Sequence, residues 1–291
     1  MTISPLPRQL GIVGLGLMGA SLARAMKATN PAVRVVAVEP LDDVRARALR
    51  DGVADVALAE PGPALADCEM AVLCTPIAAL EALLGPVSHL LPDGAVLTDV
   101  GGAKERVVTR AAADVRPGVA FVGAHPMFGG HGGYAGARAD LWRGGTVAVC
   151  IDAAPAAVER VATLHAALGA AVVRCRADEH DSAVAMVSHL PYLIASALAV
   201  AARETGPLAL KLAGPGLKDM TRLAQFPFDV QGEVSRRNAR LPQAAARLSS
   251  HLARLLEGIA TSPEATRVAL EEARAAREAL YPTPHQEGSA R

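Results

Sequence analysis

The stretch FVGAHPMFGGHGGYAG at 121–136 sets one imidazole, His125, between an apolar run and a loop rich in glycine. A neutral imidazole accepts a proton near pH 7, and glycines leave backbone open to an approaching ligand. On spacing alone a single histidine is as readily structural as catalytic, so its surroundings must decide. A second informative spacing is GLGLMG at 14–19. Gly14 permits a tight turn, Gly16 lets backbone approach a pyrophosphate, and Gly19 allows a helix to pack closely on a strand. The backbone of Leu17 and Met18 opens that helix, whose N-terminus carries the positive end of its dipole. Glu39 follows Gly19 by 20 residues, at the end of the next apolar run. An acid there accepts from ribose hydroxyls and repels a 2′-phosphate, which points to NAD rather than NADP. Cys74, Thr75 and Pro76 end a third run and Asp99 a fourth, where backbone passes beneath such a nucleotide. Ordinary loop chemistry accounts for Cys74-Thr75-Pro76 equally well.

These residues need elements to hold them. Short apolar runs at 10–14, 34–38, 70–74, 95–99, 120–123, 146–151 and 171–175 read as strands. Helical patterns at 21–28, 42–51, 77–84, 103–113 and 154–168 separate them. That alternation predicts an α/β Rossmann-type, doubly wound parallel sheet covered on both faces. Ligands then bind outside the carboxyl ends of the strands, which sets the loop after Gly123, with His125, beside a hydride-transfer centre. From 178 to 280 there are only Ala/Leu/Arg-rich helical stretches, broken at Gly206-Pro207, Gly214-Pro215-Gly216 and Ser262-Pro263. The expected division is a dinucleotide-binding domain at 1–176 and an all-α substrate and dimerisation domain at 177–291. The end, YPTPHQEGSAR, reads as a frayed tail.

Composition narrows the partners. Hydrophobic residues are 51% of the 291 and charged residues 20%, enough for a sizeable core. The net charge is zero and like charges form no block, which argues against nucleic acid or an anionic membrane as partner. The apolar run at 190–202 reads as too short and too interrupted to span a bilayer, and the first ten residues lack a signal-peptide pattern. Four scattered cysteines read as buried hydrophobes in a reducing, cytoplasmic compartment. The eight histidines show no metal-ligand spacing, so no metal is expected; His180-Asp181 simply starts a helix.

Three further segments complete a pattern: TDVGGAKERV at 98–107, DEHDSAVAMVSHLPYL at 178–193 and GPGLKDMTRLA at 214–224. With GLGLMGASLA and GAHPMFGG they resemble, in order over roughly residues 8–240, the prephenate and arogenate dehydrogenases of tyrosine biosynthesis. The resemblance implies NAD(P)-dependent removal of hydride from ring carbon C4 of a small cyclohexadienyl substrate, with loss of CO₂ and aromatisation. It implies that His125 takes the C4 hydroxyl proton and that Arg222 clamps a substrate carboxylate with its fixed fork of donors. It also sets Gly102, Gly130, Ser188, His189 and Tyr192 on the substrate side and implies a homodimer through the helical domain. The periodicity agrees in part: at 100° per residue Asp181, Ala185, Ser188, Tyr192 and Ser196 share one semi-polar stripe, with His189 beside it. Such a stripe suits a cleft wall or a seam against another helix.

The chain departs from that pattern on the substrate side. Gly102 stands where the family carries serine in DxGSxK, Phe128 and His131 alter HPxAGxE, Tyr192 replaces a second histidine, and Val230-Gln231 fall where MW is common. The changes raise a 4-amino-4-deoxyprephenate as an alternative to prephenate or arogenate. A β-hydroxyacid dehydrogenase would share GLGxMG but needs a catalytic lysine in the helical domain, where only Lys211 and Lys218 occur. A non-catalytic NAD-binding regulator would have no use for His125 and Arg222.

Overall fold

The computed structural model describes residues 6–130 and 132–281; His131 and the tail at 282–291 lie outside the described residues. Strands β1 (Gln9–Val13), β2 (Arg34–Val38), β3 (Val56–Leu58), β4 (Met70–Leu73), β5 (Val96–Asp99) and β6 (Ala120–Val122) form one parallel sheet. Their order is β3-β2-β1-β4-β5-β6. The strands are apolar at consecutive positions because both faces are buried. Leu10, Ile12, Val35 and Val72 enter one core cluster, while Val13, Val36, Ala71 and Leu73 enter the other. That is the period-two alternation of a pleated strand covered twice. Helices α1 (Leu17–Thr29), α2 (Asp42–Arg50), α3 (Ile77–Leu90), α4 (Glu105–Asp114) and α5 (Pro155–Ala167) connect the strands and cover the sheet. The chain reverses its direction of travel across the sheet between β1 and β4, which opens a crevice at the carboxyl ends there.

A second sheet of three strands departs from the expected single one. β8 (Thr146–Cys150) and β9 (Ala171–Cys175) pair parallel with each other, and β7 (Ala124–Pro126) runs antiparallel to β8. The expected strand at 120–123 is β6, and after Gly123 the chain continues into a further short strand, β7, where a loop was expected. A Cβ on Gly123 would lie 3.2 Å from both Lys104 Cδ and Val108 Cγ2 and 3.3 Å from Cys150 Sγ. Only a glycine fits easily into a bend packed on three sides. His125 consequently sits on β7, opposite Ala148, and not in a loop.

Strands end at Cys175 and helices begin at Ala177. α6 (Ala177–Val184), a π-helical turn (Ala185–His189) and α7 (Leu190–Glu204) form one continuous helix of 28 residues. By length and composition this helix could cross a membrane, a correction to the shorter run expected from sequence. The π turn has a local cause. Pro191 has no N–H to complete the α-ladder, and the Leu190 N–H reaches back five residues to Ala185 O. α8 (Pro207–Leu212), α9 (Pro215–Thr221), a 3₁₀ turn (Arg222–Gln225), a second π turn (Phe228–Gly232), α10 (Glu233–Arg237), α11 (Leu241–Thr261) and α12 (Pro263–Leu280) follow. By compactness the chain divides between Leu241 and Pro242. The second unit holds most of α11 and α12, and Ser262 Oγ caps α12 by accepting from Ala265 N at 3.2 Å.

Candidate active site

The glycine turn has the geometry its spacing demands. Gly14 adopts φ +95°, a conformation costly for any residue with a Cβ. A Cβ on Gly19 would stand 1.9 Å from Gly14 O, whereas around Gly16 nothing lies within 4 Å. Gly19 therefore seats α1 against the turn, and Gly16 leaves the helix N-terminus open. Glu39, 7% exposed, braces the turn: its carboxylate accepts from Leu15 N at 2.9 Å and from Leu41 N at 3.0 Å. Its remaining lone pairs are those a ribose would meet, and exposed Asp42 and Asp43 follow it. Thr75, against Gly14, has its Oγ1 buried with no hydrogen-bond partner among the described residues. A buried hydroxyl without a partner beside an open helix terminus fits a bound nucleotide that supplies one. Cys74 and Pro76 flank Thr75 at the carboxyl end of β4.

Asp99 differs from its expected role. It is fully buried, and its carboxylate accepts from Ala124 N at 3.0 Å, from Gly101 N at 2.8 Å and from Lys104 Nζ. No surface of this side chain is left to touch a nucleotide. Instead Asp99 and the equally buried Lys104 form an ion pair that grips β7 from both sides, since Lys104 Nζ also donates to Ala124 O at 3.0 Å. The residue held next is His125.

His125 ends a chain of three groups. Asp181 Oδ1 stands 2.8 Å from His180 Nδ1, and His180 Nε2 stands 2.9 Å from His125 Nδ1. Asp181 also accepts from Lys104 N at 2.7 Å and Glu105 N at 3.0 Å. Burial opposes its ionisation, but the bonds from His180 and the two backbone N–H groups outweigh it and hold the carboxyl below the usual range. An acceptor-only carboxylate assigns the rest. His180 carries its proton on Nδ1 and accepts at Nε2; His125 donates from Nδ1 and presents a bare Nε2 lone pair. Burial, then His180, Lys104 and His189, push the His125 pKa well below 6.5, so this imidazole is neutral at pH 7. Sequence reasoning missed His180, Asp181 and the grip of Lys104.

That lone pair borders a cavity of about 300 Å³ at the carboxyl ends of the strands. Met18 from α1, Val100 and Gly102 after β5, and His125 to Gly130 line one side. Ser188 and His189 from the first π turn, Phe226, Val230 and Gln231 near the second, and Val234 of α10 line the other. Both π turns thus face the same space, a placement π-bulges often have at functional sites. His189 is only 1% exposed: Asn238 Nδ2 donates to its Nδ1 at 3.0 Å and to Asp181 O at 2.8 Å, and its ring bonds the Gly102 backbone. Burial lowers its pKa to about 4, so it forms a neutral, fixed wall. Gly102, Gly130, Ser188 and His189 meet at the cavity. Tyr192 is half-buried and Arg222 is exposed at the start of the 3₁₀ turn, and neither lines the cavity. A larger cavity of about 660 Å³ opens between α4 and α10. It carries no imidazole, and its arginines pair with Glu81, Asp114 and Glu233.

Two family models match the chain. One, described as prephenate dehydrogenase, nucleotide-binding domain, matches residues 22–174; the other, prephenate dehydrogenase, dimerization domain, matches residues 176–267. The chain belongs to the prephenate dehydrogenase family. A Bacillus subtilis prephenate dehydrogenase is 29% identical over 220 residues, covering 73% of this chain and 59% of its own length. This chain therefore spans about three-fifths of that relative. The Synechocystis arogenate dehydrogenase structure superposes with a TM-score of 0.82 at 26% identity, covering 94% of this chain and 99% of that one. The Aquifex aeolicus prephenate dehydrogenase, in complex with hydroxyphenyl propionate and NAD⁺, shares the fold with a TM-score of 0.86 at 21% identity, covering 96% and 100%.

Proposed function

We propose that the chain catalyses the NAD-dependent oxidative decarboxylation of prephenate to 4-hydroxyphenylpyruvate. The observation that carries this reading is His125, held through Nδ1 by His180 and Asp181, with its Nε2 on a cavity beside the glycine turn. The glycine turn, Glu39 and Thr75 would hold NAD, which when bound supplies the hydride acceptor. His125 Nε2 takes the proton of the C4 hydroxyl while the hydrogen on C4 departs as hydride. The bond from C1 to its carboxylate breaks, CO₂ leaves, and its electron pair makes the ring aromatic. The ring oxygen, left as phenolate, recovers the proton from His125. Asp181 and His180 act as positioning residues: they fix the tautomer and stabilise the imidazolium formed in passing, the logic of a base oriented by a carboxylate.

The helical region, matched by a dimerization model, supports a homodimer. Val187, Leu193, Val200, Leu208, Leu210 and Leu212 are exposed on its helices. We assign these faces to a second copy and not to lipid, because the same long helix carries the buried polar groups His180, Asp181 and His189. We also read the protein as cytoplasmic, with its four free thiols, and as having neither nucleic acid nor membrane as partner. The division at 176/177 into nucleotide and substrate domains belongs to this reading.

The test is a steady-state assay of NADH formation with prephenate and with arogenate. Prephenate should win by about tenfold or more in kcat/KM; the reverse ratio would make this an arogenate enzyme. NAD⁺ should be favoured over NADP⁺ by a similar factor, because Glu39, Asp42 and Asp43 would crowd a 2′-phosphate with like charge. Glu39→Gln should narrow that preference, and comparable use of both cofactors by the wild type would contradict it. Arg222, which precedes the segment lining the cavity, is the proposed carboxylate partner. Arg222→Ala should raise KM by about tenfold or more, and Arg222→Lys should recover little, because a point charge cannot reproduce the fork. An unchanged KM in both variants would move the carboxylate elsewhere.

A further inference from the structure

Gly102 and Val234 meet across the cavity, beside the reactive nitrogen. A Cβ built on Gly102 lies 2.8 Å from Val234 Cγ1 and 3.6 Å from His125 Nε2. The volume a side chain at 102 would use is thus already filled by a stiff β-branched group from α10. Val230 continues this apolar surface along the same wall. The Gly102 backbone is itself engaged with His189.

We propose that Val234 is a specificity-determining residue: with Gly102 it forms an apolar wall against His125 Nε2 that selects a neutral hydroxyl over an ammonium on the reacting ring carbon. A hydroxyl has one hydrogen to give, and Nε2 takes it. An ammonium brings three donors and a full charge, and against Val234 its remaining hydrogens meet carbon. The missing serine at 102 is therefore replaced by hydrocarbon and not by a second acceptor, which removes the reason to expect an amino substrate. The selectivity rests on the proposed reaction; the packing of Val234 into the 102 space does not.

Four proteins test this: wild type, Gly102→Ser, Val234→Ala and the double variant. Each is measured for Tm and for NADH formation with prephenate and its 4-amino-4-deoxy counterpart. Gly102→Ser alone should lower Tm by roughly 3–8 °C through overpacking and cut kcat/KM by about tenfold or more. Adding Val234→Ala should return most of both losses, and the double variant should narrow the wild-type preference for the hydroxyl compound. If Gly102→Ser matches the wild type in Tm and turnover, or if Val234→Ala gives no rescue, Val234 does not fill that space. A wild-type preference for the amine overturns the selectivity. A wild type that binds NAD⁺ but turns over neither compound overturns the proposed reaction and the selectivity together, while the Tm pattern still decides the packing.

Discussion

His125→Asn is expected to lower kcat by roughly 10²–10⁴, the usual worth of a positioned base, while NAD⁺ binding stays intact. The separation follows from placement: His125 sits on β7 at the cavity, whereas the nucleotide elements are the turn after β1 and the end of β4. Asparagine keeps a polar side chain that His180 can still meet, but it cannot take a proton. The pH dependence has a defined sign. The His125 pKa lies well below 6.5, because burial and then His180, Lys104 and His189 disfavour its charged form. Wild-type kcat should therefore stay level from neutral pH down through 6.5 and fall only at more acid pH, as the base becomes protonated. A variant with near-normal turnover, or a wild-type acid limb centred above 6.5, would return His125 to a structural role.

The largest effect on stability should come from Lys104→Met. Lys104 and Asp99 are both 0% exposed, and removing the cation leaves a carboxylate buried with only the Gly101 and Ala124 N–H groups. Breaking a buried pair from one side costs about 3–5 kcal/mol. For a chain of this size that amounts to a fall in Tm of roughly 6–20 °C. The same change frees Ala124 O, so the surviving folded protein should also lose activity through a displaced His125. A Tm within about 2 °C of the wild type would show that the pair does not hold the fold. Circular dichroism melts read this directly.

How far the sequence carried depends on whether a residue's partners are near it in the chain. The glycine turn, Glu39 and the doubly covered strands were legible because their spacing and periodicity are local. His125 was legible through its open glycines. Its orienting partners were not: His180 lies 55 residues away, and an adjacent His-Asp pair reads most simply as the start of a helix, which it also is. Asp99 was assigned to the nucleotide because it ends a strand at the right place, but its buried pairing with Lys104 turns it toward β7. The strands at 146–150 and 171–175 left the main sheet because Gly123 lets the chain bend and pair afresh. A helical stripe that extended from Ser188 to Tyr192 was interrupted by the π turn, which shifts the faces on either side of it. Gly102 looked like a lost hydroxyl until Val234 was seen to occupy its place, a contact that no local pattern encodes.

The central claim is a protonation state: His125 is neutral, with its proton on Nδ1 toward His180 and its Nε2 bare toward the cavity. Nitrogen-15 NMR of the protein labelled on the histidine rings, with His125→Asn to assign the resonance, reads both nitrogens separately. At pH 7 the His125 Nδ1 should carry the proton and Nε2 should show the shift of an unprotonated acceptor, unchanged as the pH is lowered through 6.5. A proton on Nε2 at pH 7, on either the neutral or the cationic ring, would contradict the account.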